Sequence, residues 1–212
     1  DIYERKSEQQ HEYLSPFENS MVGFNWREYT DRGYFVIEPD IYYEYTKPGL
    51  SATRAVTTAI KELSKKFPID VDKLGLIGHS WGGYETNFII TQTDTFKAAV
   101  SGAGIADITN WYLSVNWTGM RPEFWRYTDE ETFRMKHKLF DIPEQYLANS
   151  PIFQSRSITT PLLIWTGKED YHVNWHQSVS MYLALKDQGK DVNLLLYPGE
   201  GHVLQKTQNQ KD

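Results

Sequence analysis

The sequence predicts an α/β fold, a mostly parallel sheet covered by helices on both faces. Short apolar, β-branched runs alternate with stretches of helical periodicity along most of the chain, and such alternation implies right-handed crossovers between parallel strands. Leu74-Gly75-Leu76-Ile77 is an apolar run too short for a helix. It leads into Gly78-His79-Ser80-Trp81-Gly82, and a helix-like stretch follows from Tyr84. Strand, sharp turn and helix in that order are the setting in which a serine is held proud of a sheet.

The totals suit one soluble globular domain: 212 residues, 40% hydrophobic and 24% charged. Aromatics reach 15%, with 7 Trp and 14 Tyr. They gather in 111–127 and 165–182, as the walls of a cleft would. A net charge of −6 without any Lys/Arg cluster excludes a nucleic-acid surface. The absence of cysteine excludes disulfides and thiolate metal sites and suits cytoplasm and periplasm alike. No signal peptide and no apolar run near the ~18 residues of a membrane span is present. Asp1-Ile2-Tyr3 reads as the tail of a strand. The expectation is a single domain over 1–212, with its first strands outside the sequence, forming the C-terminal part of a longer protein.

In chain order, residues 4–20 (Glu4, Arg5, Lys6, Glu8, Gln9, Gln10) read as a polar surface loop. Residues 23–32 read as a short helix stopped by Gly33. Tyr34-Phe35-Val36-Ile37 reads as a strand ended by Pro39 and Asp40. Ser51 is the candidate N-cap of a helix whose buried face repeats at Ala52, Ala55, Val56, Ala59, Ile60 and Leu63, with Pro68 beyond its end. After the turn at Ser80 a helix runs over 83–93, and Phe96–Val100 is the next strand. Residues 107–149 read as a helical excursion from the sheet. Within it, Thr128-Asp129-Glu130-Glu131 makes a capping box for a helix to about Leu139, and Pro143–Leu147 adds a turn. Pro161–Gly167 is a strand. Trp175, Val179, Tyr182 and Leu183 mark a helical face ended at Gly189, and Val192–Pro198 is the last strand.

Gly78-His79-Ser80-Trp81-Gly82 fits Gly-x-Ser-x-Gly. Its glycines lack the Cβ atoms that would collide where strand and helix converge, and the Trp81 N–H at the helix opening would face the oxygen of an attacked carbonyl. In open parallel sheets functional groups gather beyond the carboxyl ends of strands. Gly167-Lys168-Glu169-Asp170 and Gly199-Glu200-Gly201-His202 follow the last two strands. The chain order is therefore serine, acid, histidine, as in α/β-hydrolase triads. A serine hydroxyl needs a neutral imidazole to take its proton, and that imidazole needs a carboxylate to hold its tautomer. His202 suits the base and Asp170 the acid, with Glu169 as rival. His172 and His176 are four apart, but Val173 stands where a His-Glu-x-x-His zinc site needs its glutamate, so no metal is assigned. His79 reads as packing, and His11 and His137 as surface residues.

The chain resembles the catalytic domain of the prolyl oligopeptidase family, nearest its dipeptidyl-peptidase branch. The likeness runs through Gly78–Tyr84, Phe96–Val100, Pro161–Gly167 with Asp170 and Val173, and Tyr197-Pro198-Gly199-Glu200-Gly201-His202. It implies an α/β-hydrolase fold and a serine peptidase with Ser80 as nucleophile, Asp170 as orienting acid and His202 as base. It also implies an oxyanion hole from the Trp81 N–H and the Tyr3 hydroxyl. The apolar pocket it implies is lined by Trp81, Ile105, Ile108, Trp111, Tyr112 and Val173, suited to Pro or Ala before the cut. The implied partners are a peptide substrate and an upstream β-propeller domain; a homodimer is compatible, and no cofactor is called for.

The chain departs from the family in two places. Glu4-Arg5-Lys6 replaces a Gly-rich stretch, and Tyr42-Tyr43-Glu44-Tyr45 replaces an Arg-Gly-Ser-Gly-like segment. Two other readings stay open. One is a carboxylesterase or acyl-hydrolase with the same triad, since ester and peptide cleavage share the acyl-enzyme route. The other is a non-catalytic binding module on a hydrolase scaffold.

Overall fold

Four of the expected strands form one parallel sheet in the computed structural model, which describes residues 2–5, 7, 14–128 and 133–212. They are β1 (Gly75–His79), β2 (Ala98–Gly102), β3 (Leu162–Gly167) and β4 (Val192–Tyr197), adjacent in that order. The register pairs Gly78 with Ser101, Ala99 with Leu162, and Leu162 with Val192. The carboxyl ends of β1, β3 and β4 therefore come out on one edge, where Ser80, Asp170 and His202 follow them.

The helices are α1 (Trp26–Asp31), α2 (Pro48–Leu63), α3 (Trp81–Gln92), α4 (Ile108–Tyr112), α5 (Trp125–Thr128), α6 (Pro143–Ala148) and α7 (His176–Asp187). Two apolar clusters result. One joins the sheet (Leu76, Ala99, Leu162, Ile164, Val192) to Ala52 and Val56 of α2 and Met181 and Leu185 of α7. Met181 and Leu185 are fully covered, and each such side chain is worth about 1.5–3 kcal/mol. The other cluster lies between α3 and the excursion after β2, around Trp81, Tyr84, Phe88, Trp111, Tyr127 and Phe133.

Several expectations need correction. α2 starts a turn before Ser51, because Pro48 at its first position has a preset φ and no N–H to lose. Ser51 instead lies inside the helix, its hydroxyl donating to the Lys47 carbonyl and accepting from the Glu44 N–H. Gly33 does end α1, with φ +86°. The Tyr34–Ile37 strand does not form. The segment makes no sheet ladder among the described residues, and Tyr34 and Phe35 are 62% and 53% exposed. β-branched and aromatic composition marks a strand only where a neighbour takes up its backbone groups.

The capping box loses most of its residues to 129–132, which lie outside the described residues, as do Lys6, Glu8, Gln9, Gln10 and His11. Residues 133–139 are not helical: Arg134 and Lys136 have φ of 51° and 59°, while Phe133, Met135 and Leu139 are buried. The excursion also holds an unforeseen hairpin, Val115–Asn116 against Arg121–Pro122, too short to leave an alternating pattern.

Ile2 makes a parallel bridge to Gly78, its N–H donating to the Ile77 carbonyl. Below that bridge, a cavity of about 480 Å³ separates the outer edge of β1 from the extended segment after Gly33, with Val36, Ile37, Ile60, Leu76, Ile77 and Phe96 in its walls.

Candidate active site

Ser80 sits between β1 and α3 with φ 58° and ψ −114°, a conformation costing on the order of 1–3 kcal/mol for a residue with a side chain. Close packing holds it there. A Cβ on Gly78 would lie 2.1 Å from the Gly82 carbonyl oxygen, and one on Gly82 would lie 2.0 Å from the Ile2 carbonyl oxygen. The Ser80 N–H donates to the Gly102 carbonyl at 2.8 Å, tying the turn to β2.

Ser80, His202 and Asp170 meet in line. His202 Nε2 is 2.8 Å from Ser80 Oγ, and its Nδ1 is 2.8 Å from Asp170 Oδ2. The carboxylate oxygen can only accept, so Nδ1 carries the proton and Nε2 is free to receive one from the serine. The other oxygen, Asp170 Oδ1, accepts from the His172 and Val173 N–H groups at 2.8 and 2.9 Å. Asp170 is 4% exposed. Glu169, the rival acid, is turned away, and its Oε2 accepts from the Gly199 N–H.

Trp81 opens α3, so its N–H lies ahead of any intrahelical acceptor. The Tyr3 ring lies against the same turn, with Cδ2 3.6 Å from the position of a Gly82 Cβ. Burial, and after it the Glu4 and Glu85 carboxylates, pushes the Tyr3 hydroxyl pKa above its ordinary value, which keeps it a donor. Trp81, Ile105, Ile108, Trp111, Tyr112 and Val173 all fall in the second apolar cluster, each at most 5% exposed. Phe133 meets both Trp81 and Trp111 edge to face, at 4.4 and 4.7 Å between centroids. The ring contacts of Tyr112 run instead to Phe124, Tyr127 and Tyr146.

His172 and His176 do not converge. His172 lies beside His202, 4.8 Å between ring centroids, and burial holds its pKa down. His176 stacks on Trp175 and bonds Asn174. Among the described residues no group of three or more His, Asp or Glu side chains could hold a metal ion, and no helix is long and apolar enough to cross a membrane.

Two further features escaped the sequence reading. Glu200, 1% exposed, braces the His202 loop by accepting from the Gln205 and Lys206 N–H groups and Asn209 Nδ2 at 2.7, 2.9 and 2.6 Å. Its signal was a carboxylate set between two glycines. Glu85, in the otherwise apolar face of α3, is fully buried; the Tyr43 hydroxyl donates to it and accepts from Trp81 Nε1. The signal here was an acid inside Tyr84–Ile90.

Desolvation raises the Glu85 pKa from 4.5 to about 8, against the opposing Tyr43 hydrogen bond. The native carboxyl thus keeps a proton that the unfolded chain loses above about 4.5. This contribution to stability is complete below that pH and is lost as the pH rises through about 8. Glu85→Gln, which is neutral throughout, is expected to flatten the decline of the urea midpoint over that range. An unchanged slope would show that Glu85 titrates normally.

A sequence profile described as the prolyl oligopeptidase family matches residues 45–212. The chain is 34% identical over 153 residues to the uncharacterized peptidase YuxL of Bacillus subtilis, covering 72% of this chain and 22% of that protein. It is 25% identical over 207 residues to dipeptidyl-peptidase 5 of Porphyromonas gingivalis, covering 88% and 28%. Among solved structures, the acylaminoacyl peptidase of Pyrococcus horikoshii superposes with a TM-score of 0.65 at 29% identity, covering 74% of this chain and 24% of that one. The chain thus spans about a quarter of the length of these relatives. Its sheet and helices are those of an α/β-hydrolase fold, and the chain belongs to the prolyl oligopeptidase family of serine peptidases.

Proposed function

We propose that this chain is the catalytic part of a serine peptidase that cleaves short peptides after small apolar residues through an acyl-enzyme. The unbroken line from Ser80 Oγ through His202 to Asp170 carries the reading, each link 2.8 Å. Ser80 Oγ attacks the scissile carbonyl carbon as its proton passes to His202 Nε2, and Asp170 stabilises the imidazolium. The oxyanion is met by the Trp81 N–H and the Tyr3 hydroxyl, aided by the positive end of α3. His202 then returns the proton to the departing amine as the C–N bond breaks. Water, activated by the same imidazole, attacks the ester and releases Ser80.

The names of two relatives, dipeptidyl-peptidase 5 and acylaminoacyl peptidase, support peptides as the substrate class. The lengths of the relatives support a longer protein. In it an upstream β-propeller domain is expected beside this one, and a homodimer is compatible with the reading.

The proposed pocket wall (Trp81, Ile105, Ile108, Trp111, Tyr112, Val173) carries no formal charge, so a Lys or Asp side chain would be buried unpaired there. Peptide anilides differing only at the residue before the cut are expected to rank Pro and Ala first. The spread among small apolar residues should be modest, since one methylene is worth about 1–3 kcal/mol. A preference for Lys, Arg, Asp or Glu would refute the pocket. Rapid turnover of p-nitrophenyl esters with none of the anilides would make the enzyme an esterase.

A further inference from the structure

We propose that His79 is a positioning residue: its imidazole ties the main chain of the general base to the turn that carries the nucleophile. The proposal rests on the triad reading above. His79 Nε2 lies 2.7 Å from the backbone carbonyl oxygen of His202. A carbonyl can only accept, so Nε2 holds the proton and the neutral ring leaves Nδ1 bare. The ring stacks on Trp165 of β3, 5.2 Å between centroids and 13° from parallel, which sets the direction in which Nε2 points. Burial, followed by the neighbouring His202, lowers the His79 pKa to about 4, so the donor stays neutral near pH 7.

The contact matters because of where His202 sits. Its loop follows β4 and is flanked by Gly199 and Gly201, with φ of 74° at Gly199. Asp170 grips the ring of His202 but not its backbone. Glu200 braces the loop against the residues that follow it, and the Glu200 carbonyl accepts from the Glu169 N–H at 2.9 Å. None of these contacts refers to Ser80. His79 does, being bonded covalently to the nucleophile at one end and hydrogen-bonded to the base at the other. A shift of the loop away from the turn must break this bond. A misplacement of about 1 Å between reacting groups can cost on the order of a hundredfold in rate.

The test uses the full-length protein with two substitutions. His79→Phe keeps a ring on Trp165 and removes the donor, whereas His79→Gln restores an N–H at similar reach. Both are assayed for fluorophosphonate labelling rate, kcat and KM on a peptide anilide, and melting. His79→Phe is expected to slow labelling and kcat about 10- to 100-fold with KM within about threefold, and His79→Gln to recover most of the loss. A His79→Phe rate within about threefold of wild type would overturn the proposal. So would a folded His79→Gln as slow as His79→Phe, which would mean that ring shape matters and the donor does not.

Should His79→Phe fail to fold, ¹⁵N-histidine spectra of the wild-type protein decide. Nε2 protonated with Nδ1 bare at pH 7 is expected, and the other tautomer or a charged ring refutes the bond. Ser80→Ala is run alongside. Activity surviving in Ser80→Ala would sink the triad itself. An inactive Ser80→Ala beside a normal His79→Phe would sink the present inference alone.

Discussion

Ser80→Ala in the full-length protein is expected to lower peptide hydrolysis about a million-fold and to abolish fluorophosphonate labelling. The change removes only Oγ, the atom 2.8 Å from His202 Nε2. The strained turn does not depend on that oxygen, because it is held by the Ser80 N–H bond to Gly102 and by the closeness of Gly78 to Gly82. Melting should therefore stay near wild type while the rate collapses. Retention of more than a few per cent of wild-type rate by a folded Ser80→Ala protein would show that another group attacks the carbonyl.

Asp170→Asn is expected to slow acylation about ten-thousand-fold while the fold survives. The geometry says why. Oδ1 accepts two backbone N–H groups, from His172 and Val173, and an asparagine would keep its oxygen there. Its amide would then face His202 Nδ1 with N–H groups, so the ring would present Nδ1 as acceptor and carry its proton on Nε2. A protonated Nε2 cannot take the serine proton. Glu169→Gln, whose side chain meets the Gly199 N–H and not His202, should cost far less. Measuring single-turnover acylation for both variants checks the assignment, and a damaging Glu169→Gln beside a harmless Asp170→Asn would move the acid by one residue.

The parts of the site legible in the sequence were those set by local chemistry. The order of strand, glycine-flanked serine and helix placed Ser80, because close backbone approach leaves room only for glycine at positions 78 and 82. The loops that carry Glu169, Asp170 and His202 were legible because parallel strands deliver their following loops to one edge of the sheet. Helical periodicity located α2, α3 and α7 to within a few residues.

What the sequence could not settle depended on neighbours distant in the chain. Nothing local distinguished Asp170 from Glu169; the choice came from which carboxylate the β3 and β4 loops turned toward the imidazole. Tyr34–Ile37 has the composition of a strand yet forms none, since a ladder needs a partner that composition cannot supply. Residues 133–139 have no helix because Phe133, Met135 and Leu139 are drawn one by one into the aromatic cluster on α3. His79 looked like packing beside the nucleophile. Its hydrogen bond reaches a residue 123 positions away, and only the folding of β4 against β3 brings that carbonyl within reach.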